Sequence, residues 1–414
     1  MGYLRFLATN PRFLSFGFGL NVFLALGQTF YVSLYNTDIR EALLLSHGEL
    51  AALYGTATIF GSVFVLGLGR FLDHVDLRIF TCATTIAVAF GCYMFSQATT
   101  IIGLFVAVLI IRFTAQGLWG VSAQVSMARY FDSERGKAAA VANTGYALGY
   151  AVFPLIGAWL LATYGWREAW SVSGWFVLLI ILPLTMFQLW GHGERHRKYE
   201  EKLSALADGP RETRVHQWTL SQVLKDVRFW LIQPAMIAVP AIVFSIQFHQ
   251  LYLVETKAWD LTVFAGGYTL YSGMSLLATL VGGSFIDKYG SRGLISFYLW
   301  PLIPALLALG LSSDPFIIIV LMGLTGFTFG LSLVVYVTLW AEMYGTKHMG
   351  AIRSFNVFFN VSIASSVMVL TGWLIDQDVS VAAMCFGGIA FVLLSLALLI
   401  VMKRITVTVP HAAD

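Results

Sequence analysis

IIGLFVAVLII, residues 101–111, and FVLLSLALLIVM, residues 391–402, hold no charged side chain and one polar one, Ser395. A bilayer core about 30 Å thick takes about 20 apolar residues per helical crossing. Both runs sit inside stretches of that length, and such stretches recur along the chain. Neither run alternates with the period of a barrel strand. Of the 414 residues, 58% are hydrophobic and 11% charged, against about a quarter charged in soluble domains. A water-soluble fold is excluded and a helical membrane fold is expected.

The apolar segments fall at 13–35, 49–69, 79–97, 100–128, 137–161, 169–190, 228–254, 262–285, 293–311, 315–341, 351–374 and 380–402. Between them, only Arg40, Arg167 and Lys257 lie in loops on one face; the remaining loop Lys and Arg share the face of the termini. Basic loops stay on the cytoplasmic side, so both termini are expected in the cytoplasm, with twelve crossings of the plasma membrane. The first dozen residues carry Arg5 and Arg12 without a separate signal core, and the N-terminus is expected to be retained. Cys82, Cys92 and Cys385 lie in apolar segments and imply no disulfide framework.

The longest polar stretch, 191–226, divides the chain. It predicts a first bundle over 1–190, a cytoplasmic linker over 191–226, a second bundle over 227–402 and a tail over 403–414. A shift of 214 residues superposes Gly69 on Gly283, Asp73 on Asp287, Arg78 on Arg292, Gly136 on Gly350 and Tyr54 on Tyr268 without a gap. Two related halves of six helices follow. Repeats of this kind place a binding site between them near the bilayer midplane.

GRFLDHVDLR, Gly69–Arg78, and GSFIDKYGSR, Gly283–Arg292, resemble the paired loop signature of the major facilitator superfamily. RYFDSERGKAAAV (129–141) and GYALGYAVFPLIGAW (145–159) are similar to further superfamily segments, and WTLSQVLKDVRFW (218–230) resembles the monocarboxylate and oxalate-formate carrier branch. The resemblance implies an all-α membrane protein with twelve transmembrane helices in two six-helix pseudo-repeat bundles. It also implies alternating access, a cavity bordered by helices one, four, seven and ten, and a conformational latch at Gly69, Asp73, Arg78, Gly283, Asp287 and Arg292. The first copy departs from the pattern at Asp76, where Gly is usual, and at His74.

No Asp or Glu falls in the middle of a span, whereas Arg112 does. A mid-membrane Arg costs about 3 kcal/mol on the lenient insertion scale and needs a partner. One reading pairs its two-pronged guanidinium with a substrate carboxylate; the other has it hold backbone carbonyls. Arg112, Gln116 and Trp119 share a helical face at i, i+4 and i+7. Asn21, Gln28, Tyr31 and Tyr35 share another. The remaining candidates for substrate contact are Asn143, Tyr146, Gln250, Tyr336 and Asn360, with His249 a candidate for proton coupling.

The expectation is a secondary transporter for a small organic anion of monocarboxylate type, coupled to a proton or an exchanged anion. The alternatives are an exporter of neutral or amphipathic molecules and a nontransporting sensor. No metal constellation, phosphate loop or Ser/His/Asp grouping stands out. Neither enzymatic activity, cofactor, metal nor nucleic-acid partner is expected, and the chain is read as a monomer in the lipid bilayer.

Overall fold

The computed structural model describes residues 3–68, 75–131, 135–197, 218–345 and 348–404, and every regular element among them is a helix. The principal ones are α1 (Pro11–Gly27), α2 (Thr29–Leu43), α3 (His47–Leu68), α4 (Leu77–Ser96), α5 (Ile101–Met127), α6 (Lys137–Gln188), α7 (Val227–Phe248), the short α8 (Gln250–Thr256), α9 (Leu261–Tyr289), α10 (Leu302–Leu311), α11 (Ile317–Tyr344), α12 (Met349–Asp376) and α13 (Val381–Arg404).

Among the described residues nine helices are long and apolar enough to cross a bilayer, and ten crossings result if α1 and α2 form one bent span. The twelvefold reading further requires two crossings from α6 and one from 293–311. The 52 residues of α6 at 1.5 Å each are more than twice as long as a bilayer core is thick. The run is interrupted at Gly165, whose φ of 78° and ψ of 170° are non-helical; glycine enters that region without a Cβ clash. In 293–311 only α10 is a long helix, preceded by turns through Pro301.

The first span is also not straight. Its two parts meet at 45°, and Gln28 between them is extended, with ψ 151°.

Two helix starts are built alike. Asp76 caps α4 by accepting from the Arg78 backbone N–H at 2.8 Å while Arg78 Nη2 reaches its carboxylate at 2.6 Å. Asp226 caps α7 through the Arg228 N–H at 2.9 Å, with Arg228 Nη2 at 2.7 Å. The Arg78 hydrogen bonds hold Asp76 down to about 2. Burial alone would raise Asp226, but Arg228 and the Tyr344 hydroxyl outweigh it and hold it below the usual carboxylate range. The Arg78 of the expected latch is therefore paired with Asp76, the residue that departs from the loop pattern. Gly69 and Asp73 lie outside the described residues, as do the side chains of Asp287 and Arg292. Gly283 lies within α9. At the second loop, Glu342 of α11 accepts from the Ser291 N–H at 3.1 Å and the Ser291 hydroxyl at 2.6 Å.

Helices from before and after the 191–226 stretch meet along two seams. In one, α3 packs on α12; in the other, α6 packs on α9. On the face opposite the termini the contacts are polar and close. Ser33 donates to the Gln247 carbonyl at 2.6 Å, and Asn36 to the Phe248 carbonyl at 2.8 Å. Gln250 donates back to the Phe30 carbonyl at 2.7 Å. Asn36 and Gln250 are 214 positions apart, the offset of the sequence repeat, so equivalent amides clasp carbonyls across the divide in both directions.

Candidate functional site

Arg112 is buried, 6% exposed, where α5 widens into a π-helical turn, Arg112–Leu118; such turns recur at functional sites. Its Nη1 donates to the Gly27 carbonyl at 2.8 Å, its Nε to the Thr58 hydroxyl at 3.0 Å, and the guanidinium carbon lies 4.9 Å from the centre of the Tyr54 ring. The Gly27 carbonyl is available because the helix breaks at Gln28: the next amides, Tyr31 and Val32, bond to the Gln28 carbonyl instead. Gly27 itself admits α5 closely, since a Cβ there would sit 2.7 Å from the Gln116 backbone nitrogen. The two bonds use two of five guanidinium donors, with the Tyr54 phenol beside them.

Arg112 and Gln116 line a cavity of about 250 Å³ with Thr29, Tyr54 and Thr58 on one side and Phe244, Ser354, Phe358 and Ser365 on the other. It lies between α3 and α5 of the first half and α7 and α12 of the second, toward the ends nearer the termini. No Asp or Glu lines it. Gln116 Nε2 donates to Gln28 Oε1 at 3.3 Å, so Gln28 joins the cavity wall through Gln116.

The other sequence candidates lie elsewhere. Tyr31 turns into the first half, its hydroxyl 3.2 Å from Ser173 Oγ and its ring against Trp170. Asn143 is exposed. Tyr146 packs at a tilt against Tyr150, ring centres 4.8 Å apart, within an aromatic cluster at the α6–α9 seam that continues through Tyr150, stacked on Tyr271 at 5.6 Å. Gln250 is spent on the clasp and on Tyr268, which donates to its Oε1 at 2.9 Å. Asn360 donates to the Asn356 carbonyl at 2.8 Å, and Asn356 Oδ1 accepts from Gln233 at 2.9 Å. His249 sits at the joint between α7 and α8, Nε2 3.1 Å from the Met368 carbonyl. The Tyr336 hydroxyl donates to the Met236 carbonyl, which Pro240, four residues on, cannot serve because proline has no N–H.

Trp119 does not share the cavity face with Arg112. The π turn bonds i to i+5 rather than i to i+4, which shifts the register, and Trp119 is fully buried. Sequence reasoning singled out neither Thr58 nor Tyr54 for the site. Tyr54 carried a signal, its coincidence with Tyr268 in the repeat; Thr58 carried none. The two tyrosines again act crosswise: Tyr54 packs on Phe248 at 4.8 Å and Tyr268 on Phe30 at 5.4 Å.

Among the described residues no group of three His, Cys, Asp or Glu could hold a metal ion. The fold and cavity define a polytopic helical membrane protein with a central solute-sized space lined by a lone cation. Residues 17–364 match the Major Facilitator Superfamily, and the chain belongs to that family of membrane transporters. It is 26% identical over 281 residues to the membrane sensor protein UhpC of Escherichia coli (strain K12), a match over 63% of this chain and 62% of that protein's length. The crystal structure of the nucleoside transporter NupG matches 98% of this chain and 100% of its own, with TM-score 0.66 and 13% identity. A bacterial homolog of the human lysosomal transporter Spinster, in an inward-facing and unoccupied conformation, matches 95% of this chain and 97% of its own, with TM-score 0.64 and 13% identity. These structural likenesses are of fold.

Proposed function

We propose that the chain is a secondary transporter carrying a small organic anion, of monocarboxylate type, by alternating access between two six-helix halves. The observation that carries this reading is Arg112, a buried cation lining a cavity between the halves with no carboxylate in its wall. In a low-dielectric cavity an uncompensated guanidinium attracts an anion strongly. Thr29, Thr58 and Gln116 add neutral hydrogen-bonding groups around it. A cavity of about 250 Å³ suits a small solute. The bonds to Gly27 and Thr58 give Arg112 a second task, tying the broken first span to α3 and α5, so anion binding and helix position are linked through one side chain. With the basic loops on the cytoplasmic face, the conformation is the cytoplasm-open one, closed by the Asn36 and Gln250 clasp. His249 does not itself line the cavity, but its Nε2 lies 3.1 Å from the carbonyl of Met368, which does, and a proton-coupling role for it would act through that contact.

The test is counterflow of labelled small carboxylates in proteoliposomes, comparing the parent with Arg112→Gln in protein shown to be folded. Saturable exchange that the substitution abolishes supports the reading. Equal transport of neutral solutes by both proteins, with no carboxylate movement, refutes it. A second reading, a nontransporting sensor, is favoured by the similarity to a membrane sensor protein; carboxylate binding without exchange is its signature.

A further inference from the structure

The corner where the start of α1 meets the end of α6, on the face of the termini, carries charge that nothing in the described chain answers. After α6 the chain turns at Gly191, φ 77°, and comes back against the first residues of α1. Arg12 Nη2 donates to the Trp190 carbonyl at 2.6 Å. The Arg195 guanidinium carbon lies 4.0 Å from the centre of the ring of Phe13, the residue after Arg12. His192 is wedged between Phe13 and Tyr130, with ring centres 5.7 and 4.9 Å away. One carbonyl and one aromatic ring thus fix two guanidiniums in a single packed corner.

Among the described residues no carboxylate bridges either arginine. Asp76, whose charge reaches His192 in this corner, is spent on Arg78 at 2.6 Å. Burial first, and then the charge of Arg12, press Arg195 below the ordinary arginine value; an anion between two like charges relieves their repulsion. Both side chains can be reached. Arg12 is exposed, and of the Arg195 nitrogens only Nη1 is sealed, so that Nε and Nη2 are open and without a hydrogen bond. The repeat offset of 214 puts Asp226 where the first half has Arg12, and Asp226 is paired with Arg228, so the equivalent position of the second half is neutralised. Depth selects the kind of anion. Trp190 is 71% and Phe187 61% exposed at the end of α6, and aromatic side chains at the end of a membrane helix mark the headgroup level. A soluble anion gains from the arginines alone, whereas a phospholipid gains from these apolar side chains as well.

We infer that this corner binds the headgroup phosphate of an anionic phospholipid from the leaflet on the face of the termini, with Arg12 and Arg195 pairing with its oxygens and the acyl chains lying along Trp190, Phe187 and Leu184 of α6. Guanidinium and phosphate pair through two parallel hydrogen bonds, and basic pockets at the ends of membrane helices hold anionic headgroups in this way. The site is remote from the Arg112 cavity and stands or falls independently of the transported anion. It ties the first half, through the starts of α1 and the end of α6, to one leaflet.

The test titrates the purified full chain with phosphatidylglycerol or phosphatidylcholine and counts retained lipids by native mass spectrometry. Saturable retention of phosphatidylglycerol in preference to phosphatidylcholine is expected. Arg12→Gln and Arg195→Gln should each weaken it about fivefold. The control is the pair Lys403→Gln and Arg404→Gln, two exposed cations at the end of α13, which removes the same charge from the same face and should leave the saturable lipid in place. Because Arg12 also holds the Trp190 carbonyl, the doubly substituted Arg12→Lys, Arg195→Lys chain is measured too; it keeps both charges and should keep the preference for phosphatidylglycerol. An equal loss in the α13 control, undiminished binding in both Gln variants, or equal retention of the two lipids overturns the inference. Displacement of the lipid by millimolar inorganic phosphate also overturns it, since the corner would then be a site for a soluble anion.

Discussion

The two ends of the α3–α12 pair are packed in opposite ways. At the end opposite the termini, Asp376 of α12 accepts from the backbone N–H groups of His47 and Gly48 at 2.9 and 2.7 Å, capping the start of a helix in the other half. Gly372 lies so close that a Cβ there would sit 2.8 Å from the His47 carbonyl. At the other end Gly61, Ser62 and Val65 are separated from Ser354, Val357 and Phe358 by the cavity. One end is backbone against backbone; the other presents side chains across a gap. A pair of rigid helices closed at one end by small residues and a cap, and open at the other, can pivot without either helix deforming.

The largest disturbance of this contrast is Gly372→Leu, whose side chain overlaps the His47 backbone. It should hold the seam apart, eliminate exchange in proteoliposomes and make a cysteine placed at Ser46 reactive from the face opposite the termini; retained exchange would show that the seam need not close. Asp376→Ala removes an N-cap, worth about 1 kcal/mol, and should raise reactivity at the same position about fivefold. The amide clasps come next. Asn36→Ala and Gln250→Ala each delete one neutral hydrogen bond, worth about 1 kcal/mol, and the double variant should shift the open–closed balance by the product of the single effects. A double variant no worse than either single would mean that the two clasps form and break as one unit.

The smallest effect concerns Asp76. Its folded-state value, about 2, lies below the ordinary 3.8, so the bond to Arg78 stabilises the protein above pH 3.8 and the contribution fades as pH falls toward 2. The thermal midpoint of Asp76→Asn should therefore lie below that of the parent by a constant margin from pH 6 to 8 and converge with it near pH 2. Because the pair is part-exposed the margin is small.

Much of this architecture was readable from apolar runs alone. The segment expected over 49–69 is α3, His47–Leu68, and the one over 351–374 is α12, Met349–Asp376. Hydrocarbon thickness dictates their length and little else competes. The 214-residue repeat also had physical content, since Asn36 and Gln250, and Tyr54 and Tyr268, make crosswise contacts at that spacing. What escaped the sequence were departures from α-helical register. The face assigned to Gln28, Tyr31 and Tyr35 assumed a straight helix, but Leu24–Gly27 is 3-10 and Gln28 extended, which turns Tyr31 away from the cavity. The π turn removed Trp119 from the Arg112 face in the same way. The Tyr336 hydroxyl answers a carbonyl freed by a proline on another helix, a relation no local pattern encodes. Both readings offered for Arg112, carbonyl anchor and cavity cation, describe parts of one arrangement: its bonds are structural and its position faces the cavity.

The most direct test of the anion site is substrate protection of a cysteine placed at Ser354, which lines the cavity opposite Arg112, in a background with Cys82, Cys92 and Cys385 replaced by serine. A small monocarboxylate should slow maleimide labelling of that cysteine in a saturable way, and Arg112→Gln should remove the protection while leaving the unprotected labelling rate unchanged. Equal protection in both proteins, or none in either by any small carboxylate, would contradict the assignment of Arg112 as the anion anchor.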